Sequence, residues 1–328
     1  MQMTNFEELK TLLKSAPKKI AILPHKNPDG DAIGSTLAMF HYLRKLGHTC
    51  NIVAPNDFPK FLKWMPSAKE IVIADYKPKV AEAIIHQAEL IFILDFNTVK
   101  RIDDLGFWVE RSKAPKILID HHREPDTFDF MYSDIEMPAT CQMVYNFIEA
   151  MNDLDKIDKG IAECIYTGIM TDTGGFTYNS NHQEIYIIIS ELIKLGVDKD
   201  DIYRKVFNNY SADRMRLMGY TLFNKMKIFP EYKAALITVS LKELKEFNYQ
   251  IGDVEGLVNL PLSIDGVVFS VFMREDTDKI KISLRSQGTF PANKVAADLF
   301  NGGGHLNAAG GESYATMEES VQKFESAL

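Results

Sequence analysis

The chain has 328 residues, 46% of them hydrophobic and 25% charged, with a net charge of −8 at neutral pH. That length and balance suit a globular protein of two domains, and the acidic charge argues against a long electrostatic track on duplex DNA. No apolar run approaches the roughly 20 residues of a membrane helix, residues 1–19 lack an apolar signal region, and Cys50, Cys141 and Cys164 form no Cys-x-x-Cys pair, so a cytoplasmic chain of reduced thiols is expected.

Residues 5–15 predict an amphipathic helix with Phe6, Leu9, Leu12 and Leu13 on one side. Residues 19–23 (KIAIL) predict a short buried strand, and residues 32–46 a helix with Ile33, Leu37, Phe40 and Leu43 at helical spacing. The loop between them carries His25, Asp29 and Asp31, and Pro28 and Gly30 turn it tightly. A strand, a polar loop and a helix is how α/β sheets build sites at their carboxyl edge. A lone Asp-x-Asp is more often a solvated turn; the histidine four residues ahead of Asp29 and the groups downstream favour a site.

Residues 49–54 predict a second strand, and residues 60–66 a surface loop or short helix with Trp64 packed beneath it. Residues 89–95 (ELIFILD) are apolar throughout, as in a parallel sheet covered on both faces, and end on Asp95. Residues 116–120 (KILID) repeat that pattern, and His121 and His122 follow at once. Residues 139–151 and 156–170 predict helices, the second running into Asp172 and the Gly174-Gly175 pair. Residues 181–195 and 212–229 also look helical, and little between 196 and 228 suggests a strand.

From Tyr232 the pattern changes. Residues 234–239, 267–274 and 279–285 predict strands, 291–300 a helix, 301–311 a glycine-rich stretch containing His305, and 317–328 a final helix. The expected organisation is an α/β domain over 1–195, a helical connector over 196–228 and a smaller α/β domain over 229–328.

His25, Asp29, Asp31, Asp95, His121 and Asp172 are four carboxylates and two imidazoles at element ends. One ion does not need six such ligands; two divalent ions would be roughly neutralised by the four carboxylates. Paired ions are the arrangement used for displacement at phosphorus. Mixed imidazole and carboxylate donors favour Mn²⁺ over Mg²⁺, and the lack of thiolates argues against structural zinc. His122 reads either as a general acid or as a satisfied core histidine, and Asp120 is placed to orient one of the imidazoles. His41, His48, His86 and His182 lack acidic neighbours at ligand spacing and read as structural or exposed. Arg285, at the end of a strand with Ser286, suits a forked grip on phosphate. Residues 302–304 let a backbone approach an anion closely, beside His305.

Taken in order, His25-x-x-x-Asp29-x-Asp31, Asp95, Asp120-His121-His122 and Asp172 resemble the four motifs of the DHH phosphoesterase superfamily, and the stretch Gly303-Gly304-His305 to Gly310 is similar to its DHHA1 domain. The resemblance covers residues 20–311 with no departure at a ligand position. It implies a doubly wound parallel sheet in the first domain and a site in the cleft between domains. It also implies two Mn²⁺ (Mg²⁺ or Co²⁺ as substitutes) on His25, Asp29, Asp31, Asp95, His121 and Asp172. His122 would contact the scissile phosphate, with Asp95 and Asp120 in the catalytic set, while Arg285, Ser286, Gly303, Gly304 and His305 would hold the substrate.

The size resembles the short nanoRNase members, which remove nucleotides from very short RNAs and often dephosphorylate 3′-phosphoadenosine 5′-phosphate. A short single-stranded RNA or phosphorylated nucleotide is therefore the expected partner, with no membrane partner and with homodimerisation left open. The alternatives are a cyclic or linear dinucleotide phosphodiesterase, an inorganic pyrophosphatase (disfavoured by the glycine-rich second domain) and a nucleotide sensor without catalysis, which should have lost a ligand.

Overall fold

The structure, a computed structural model, describes residues 2–328. It divides into two compact units, one ending at Asn209 and the other beginning at Tyr210. In the first unit, β1 (Lys19–Leu23), β2 (Thr49–Ala54), β3 (Val72–Ile73), β4 (Leu90–Leu94), β5 (Lys116–Asp120) and β6 (Phe130–Ser133) form one sheet. Every pairing is parallel and the order is β3-β2-β1-β4-β5-β6. The apolar run of β4 is explained by cover on both faces. One face packs against α2 (Gly30–Lys45) and α5 (Thr140–Ala150), and α1 (Phe6–Ser15), α6 (Lys159–Asp172), α7 (Gln183–Lys194) and α8 (Lys199–Phe207) join the same apolar cluster. The other packs against α3 (Pro78–Gln87) and α4 (Leu105–Arg111).

The strand order reverses between β1 and β4, and such a reversal opens a crevice beyond the carboxyl ends of the strands. Two glycines set the depth of the helices behind it. A Cβ on Gly34 of α2 would lie 2.6 Å from the Cys164 carbonyl oxygen of α6. One on Gly168 would lie 2.1 Å from Cys141 Sγ of α5. The three helices approach this closely only because those positions carry no side chain. The start of α2 thereby meets the end of α6, where Gly30 abuts Thr171.

The second unit holds a mixed sheet of β7 (Met226–Phe229), β8 (Ala234–Val239), β9 (Phe269–Glu275), β10 (Ile280–Ser286), β11 (Gly303–Gly304) and β12 (Ala308–Ser313), in the order β11-β12-β10-β9-β8-β7. Only β8 and β9 run parallel. α11 (Ala292–Phe300) and α12 (Met317–Glu325) cover one face. Residues of α9 (Ala212–Tyr220) and α10 (Leu241–Glu246) join the second apolar cluster of this unit.

The α/β reading holds for both units, with differences in detail. The helix expected over 212–229 stops at Tyr220; a single π turn, Thr221–Lys225, leads into the edge strand β7, which pairs with β8. The stretch 196–228 is thus shared between the units, with α8 in the first and α9 in the second. The sequence reading passed over β6, whose four residues bury only Phe130 and Tyr132, and over α3, α4, α8 and α10. α2 begins two residues earlier than expected because the Asp29 side chain accepts the Asp31 and Ala32 amides and caps it. Among the described residues no helix is long and apolar enough to cross a membrane.

Candidate active site

The loop after β1 places His25 under the edge of the sheet, 6% exposed, with Asp29 and Asp31 at the start of α2. Asp95 follows β4 directly and adopts a left-handed backbone, φ +65°. This is a costly conformation for a residue other than glycine, and such strain gathers at functional sites. It turns the carboxylate into the crevice, where Asp95 is 2% exposed. Its two oxygens then address different imidazoles: Oδ2 lies 3.5 Å from His25 Nε2, and Oδ1 lies 3.4 Å from His121 Nε2. Asp29 Oδ2 is 3.9 Å from the same nitrogen of His25, and Asp172 Oδ2 is 3.4 Å from that of His121.

The other ring nitrogens are already committed. His25 Nδ1 lies 2.7 Å from the Lys26 carbonyl oxygen and His121 Nδ1 lies 3.0 Å from that of Met137. A carbonyl only accepts, so both Nδ1 atoms donate, and Nε2 is the position that exchanges a proton for a cation. Burial disfavours the charged form of His121, but hydrogen bonding to Asp95 and the Asp172 charge override it and hold its pKa well above the usual range. His25 is raised in the same way, chiefly by Asp95. Burial would raise Asp95, yet the two imidazoles hold it well below the usual carboxylate range. Burial, with Asp95 adding to it, pushes Asp31 up to about 7, and burial with the Asp31 charge raises Asp172.

The set therefore fits divalent cations. Crowded carboxylates and lone-pair nitrogens either keep protons or surrender them to a metal. The donor atoms fall into two groups that share Asp95: His25, Asp29 and Asp95, and Asp31, Asp95 and His121, with Asp172 beside the second.

His122 borders the same cluster, with Nδ1 3.8 Å from Asp95 Oδ1, but is held by another carboxylate. Its Nδ1 is 2.7 Å from Asp120 Oδ1, and the fully buried Asp120 also accepts the His122 amide through Oδ2. Burial lowers the His122 pKa, opposed by Asp120. This fixes the ring and leaves its Nε2 outward from that hydrogen bond, at a side-chain exposure of 16%. The motif reading passed over the segment that supports the site from behind. Thr140 donates its amide to Asp31 Oδ2 at 2.6 Å and its hydroxyl to Asp95 Oδ1 at 3.0 Å, and the Cys141 amide donates to Asp31 Oδ1 at 2.9 Å. Its one sequence signal is a threonine opening a helix after Pro138-Ala139.

In the second unit, Arg285 lies on the half-buried face of β10, and its Nη1 donates to the Leu284 carbonyl at 2.9 Å. The Ser286 hydroxyl is turned inward: it donates to the Phe290 carbonyl at 2.7 Å and accepts from Asn307 at 2.8 Å. Gly303 and Gly304 form β11 against β12. A Cβ on Gly304, at φ +139°, would meet the Ala308 carbonyl oxygen at 2.6 Å, whereas Gly303 faces open space. The His305 amide donates to the Ala308 carbonyl at 2.8 Å and closes the turn.

Fold and constellation together put the chain among the hydrolases of phosphate esters. The chain belongs to the DHH family: the family's N-terminal domain model matches residues 19–169, and the DHHA1 domain model matches residues 233–328. A Thermus thermophilus relative called bifunctional oligoribonuclease and PAP phosphatase NrnA is 32% identical over 300 residues, covering 91% of this chain and 85% of the relative. A crystal structure of an exopolyphosphatase-related protein from Bacteroides fragilis is 52% identical, with a TM-score of 0.93 over 98% of this chain and 94% of that one. RecJ from Thermus thermophilus, solved with Mn²⁺, shares the fold alone at 14% identity and a TM-score of 0.56, covering 100% of this chain and 55% of RecJ.

Proposed function

We propose that the protein is a Mn²⁺-dependent phosphoesterase that cleaves short oligoribonucleotides to mononucleotides and dephosphorylates 3′-phosphoadenosine 5′-phosphate. The observation that carries the reading is Asp95, whose two oxygens face two imidazoles that are both locked with Nε2 toward the crevice. His25, Asp29 and Asp95 would hold one ion; Asp31, Asp95, His121 and Asp172 would hold the other. Two such ions, when bound, would supply an acidified water and positive charge for the phosphoryl oxygens. The chain's own residues do the rest. Asp120 fixes His122 through Nδ1, so that Nε2 meets the scissile phosphate, where it takes up the proton given up by the attacking water and returns it to the leaving oxygen. Arg285, with Gly303, Gly304 and His305, holds a part of the substrate other than the scissile phosphate, and Ser286 supports that loop through Asn307. The name of the Thermus relative supports the choice of substrates.

The test is incubation with Mn²⁺ and a panel of dinucleotides, longer oligoribonucleotides, adenosine bisphosphate, cyclic dinucleotides and pyrophosphate, with products separated by chromatography. Mononucleotides from the short linear substrates are expected. Turnover of pyrophosphate or cyclic dinucleotides alone would overturn the reading.

A further inference from the structure

Arg101 sits on the 3-10 turn Val99–Ile102 that follows β4 and Asp95. The turn is pinned on both sides. The Lys26 amide, next to His25, donates to the Arg101 carbonyl at 2.7 Å. On the other side the Val99 amide donates to Asp126 Oδ2 at 3.2 Å, and the Asp126 amide donates back to the Asn97 carbonyl at 2.7 Å. Ile102 anchors the turn from below, fully buried. The two loops that grip it are the ones that carry His25 and His122.

Arg101 is half-buried as a residue, and among the described residues no hydrogen bond or ion pair ties its guanidinium to another side chain. Its neighbour Lys26 pairs with Asp103, so carboxylates are within reach of this corner of the fold. A half-buried arginine on a pinned turn, left unpaired beside a site rich in carboxylates, is placed for an anion that arrives from outside. Its planar fork matches two oxygens of a phosphoryl group.

We propose that Arg101 is a catalytic residue that binds the non-bridging oxygens of the scissile phosphate. This rests on the phosphoesterase reading of the same site. The contact is to the reacting group, common to all substrates, so its loss does not depend on substrate length. Positive charge aimed at developing phosphoryl charge acts mainly on turnover.

Four variants test this: Arg101→Ala, Arg101→Gln, Arg101→Lys and, as a control, the exposed Arg123→Ala. The readouts are thermal melting, Mn²⁺ affinity by electron paramagnetic resonance, and kcat and KM on a dinucleotide and on a small p-nitrophenyl ester of thymidine monophosphate. Arg101→Ala and Arg101→Gln are expected to lose about 100-fold in kcat/KM on both substrates, with unchanged melting and Mn²⁺ affinity. Arg101→Lys should keep part of the rate, and added guanidinium ion should restore part of it to Arg101→Ala. A loss under about threefold, an equal loss in Arg123→Ala, or a parallel fall in Mn²⁺ affinity would overturn the assignment. Equilibrium titration of the Mn²⁺-loaded proteins with AMP separates this from failure of the phosphoesterase reading. With or without turnover, Arg101→Ala should bind AMP about tenfold more weakly than wild type, and equal binding would sink the proposal.

Discussion

At the scale of single residues, the six proposed ligands differ in what else they do. Asp172 tests the metal assignment most cleanly, because it caps no helix and among the described residues accepts no backbone amide. Asp172→Asn removes one of several crowded carboxylates, so the chelated protein should melt at a higher temperature than chelated wild type, while the rise on adding Mn²⁺ should shrink and turnover should fall by about a thousandfold or more. Thermal melts with and without chelator, alongside initial rates, check this; an unchanged metal response would remove Asp172 from the ligand set. Asp120 and His122 act as one unit through their 2.7 Å hydrogen bond. Asp120→Asn and His122→Ala should each lower kcat, and the double variant should be little worse than His122→Ala alone. Additive losses in kinetics on a dinucleotide would mean that Asp120 does not work through His122.

Elements bring these residues together, and two of them carry their own tests. Gly34→Ala drives a methyl group against the Cys164 carbonyl between α2 and α6. Denaturant titration should show a loss of about 1–3 kcal/mol, with weaker Mn²⁺ binding because Asp31 and Asp172 ride on those helices. In the second unit, Glu243 closes a capping box at the start of α10 with Ser240 and also takes hydrogen bonds from Tyr220 and Lys225. Burial opposes ionisation of Glu243, but these partners bring its pKa from 4.5 down to about 2. A folded value below the unfolded one gives stability that is present above about pH 4.5 and is lost as pH falls toward 2. At neutral pH that amounts to about 3 kcal/mol. Glu243→Gln should therefore melt lower than wild type at pH 7, with the gap closing by pH 2; a gap independent of pH would mean that packing, not charge, is what Gln fails to replace.

The first three motifs were legible because strong β strands end on them: the apolar runs of β1, β4 and β5 fix where His25, Asp95, Asp120 and His121 must emerge, while Asp172 closes the helical pattern of α6. The supports were not legible. Thr140 and the Cys141 amide act on residues 45 and 110 positions away, respectively, and no local pattern encodes that distance. β6 and β7, at four residues each, are defined by the neighbour they pair with rather than by their own periodicity.

For the molecule as a whole, each unit has its own apolar core, with the proposed metal ligands in the first unit and Arg285 in the second. Arg285→Ala should thus raise KM for a dinucleotide far more than for the small p-nitrophenyl ester, in contrast to the uniform loss expected at Arg101. Paired kinetic titrations decide it; equal losses would give Arg285 a role in the fold. The net charge of −8 argues against an extended basic track for a long strand. Dinucleotides to short oligomers should accordingly be cleaved much faster per end than 20-mers.

Ala139, at the N-cap of α5, cannot satisfy the first amides of its own helix. Asp31 does so from another helix, accepting both Thr140 and Cys141. A descendant that gave up hydrolysis would still need that carboxylate to keep α5 in place, whereas Asp172 faces the His121 imidazole and, among the described residues, accepts no backbone amide. Loss of catalysis in this lineage should therefore be written first at position 172, and an intact Asp-x-Asp is no certificate of a working enzyme.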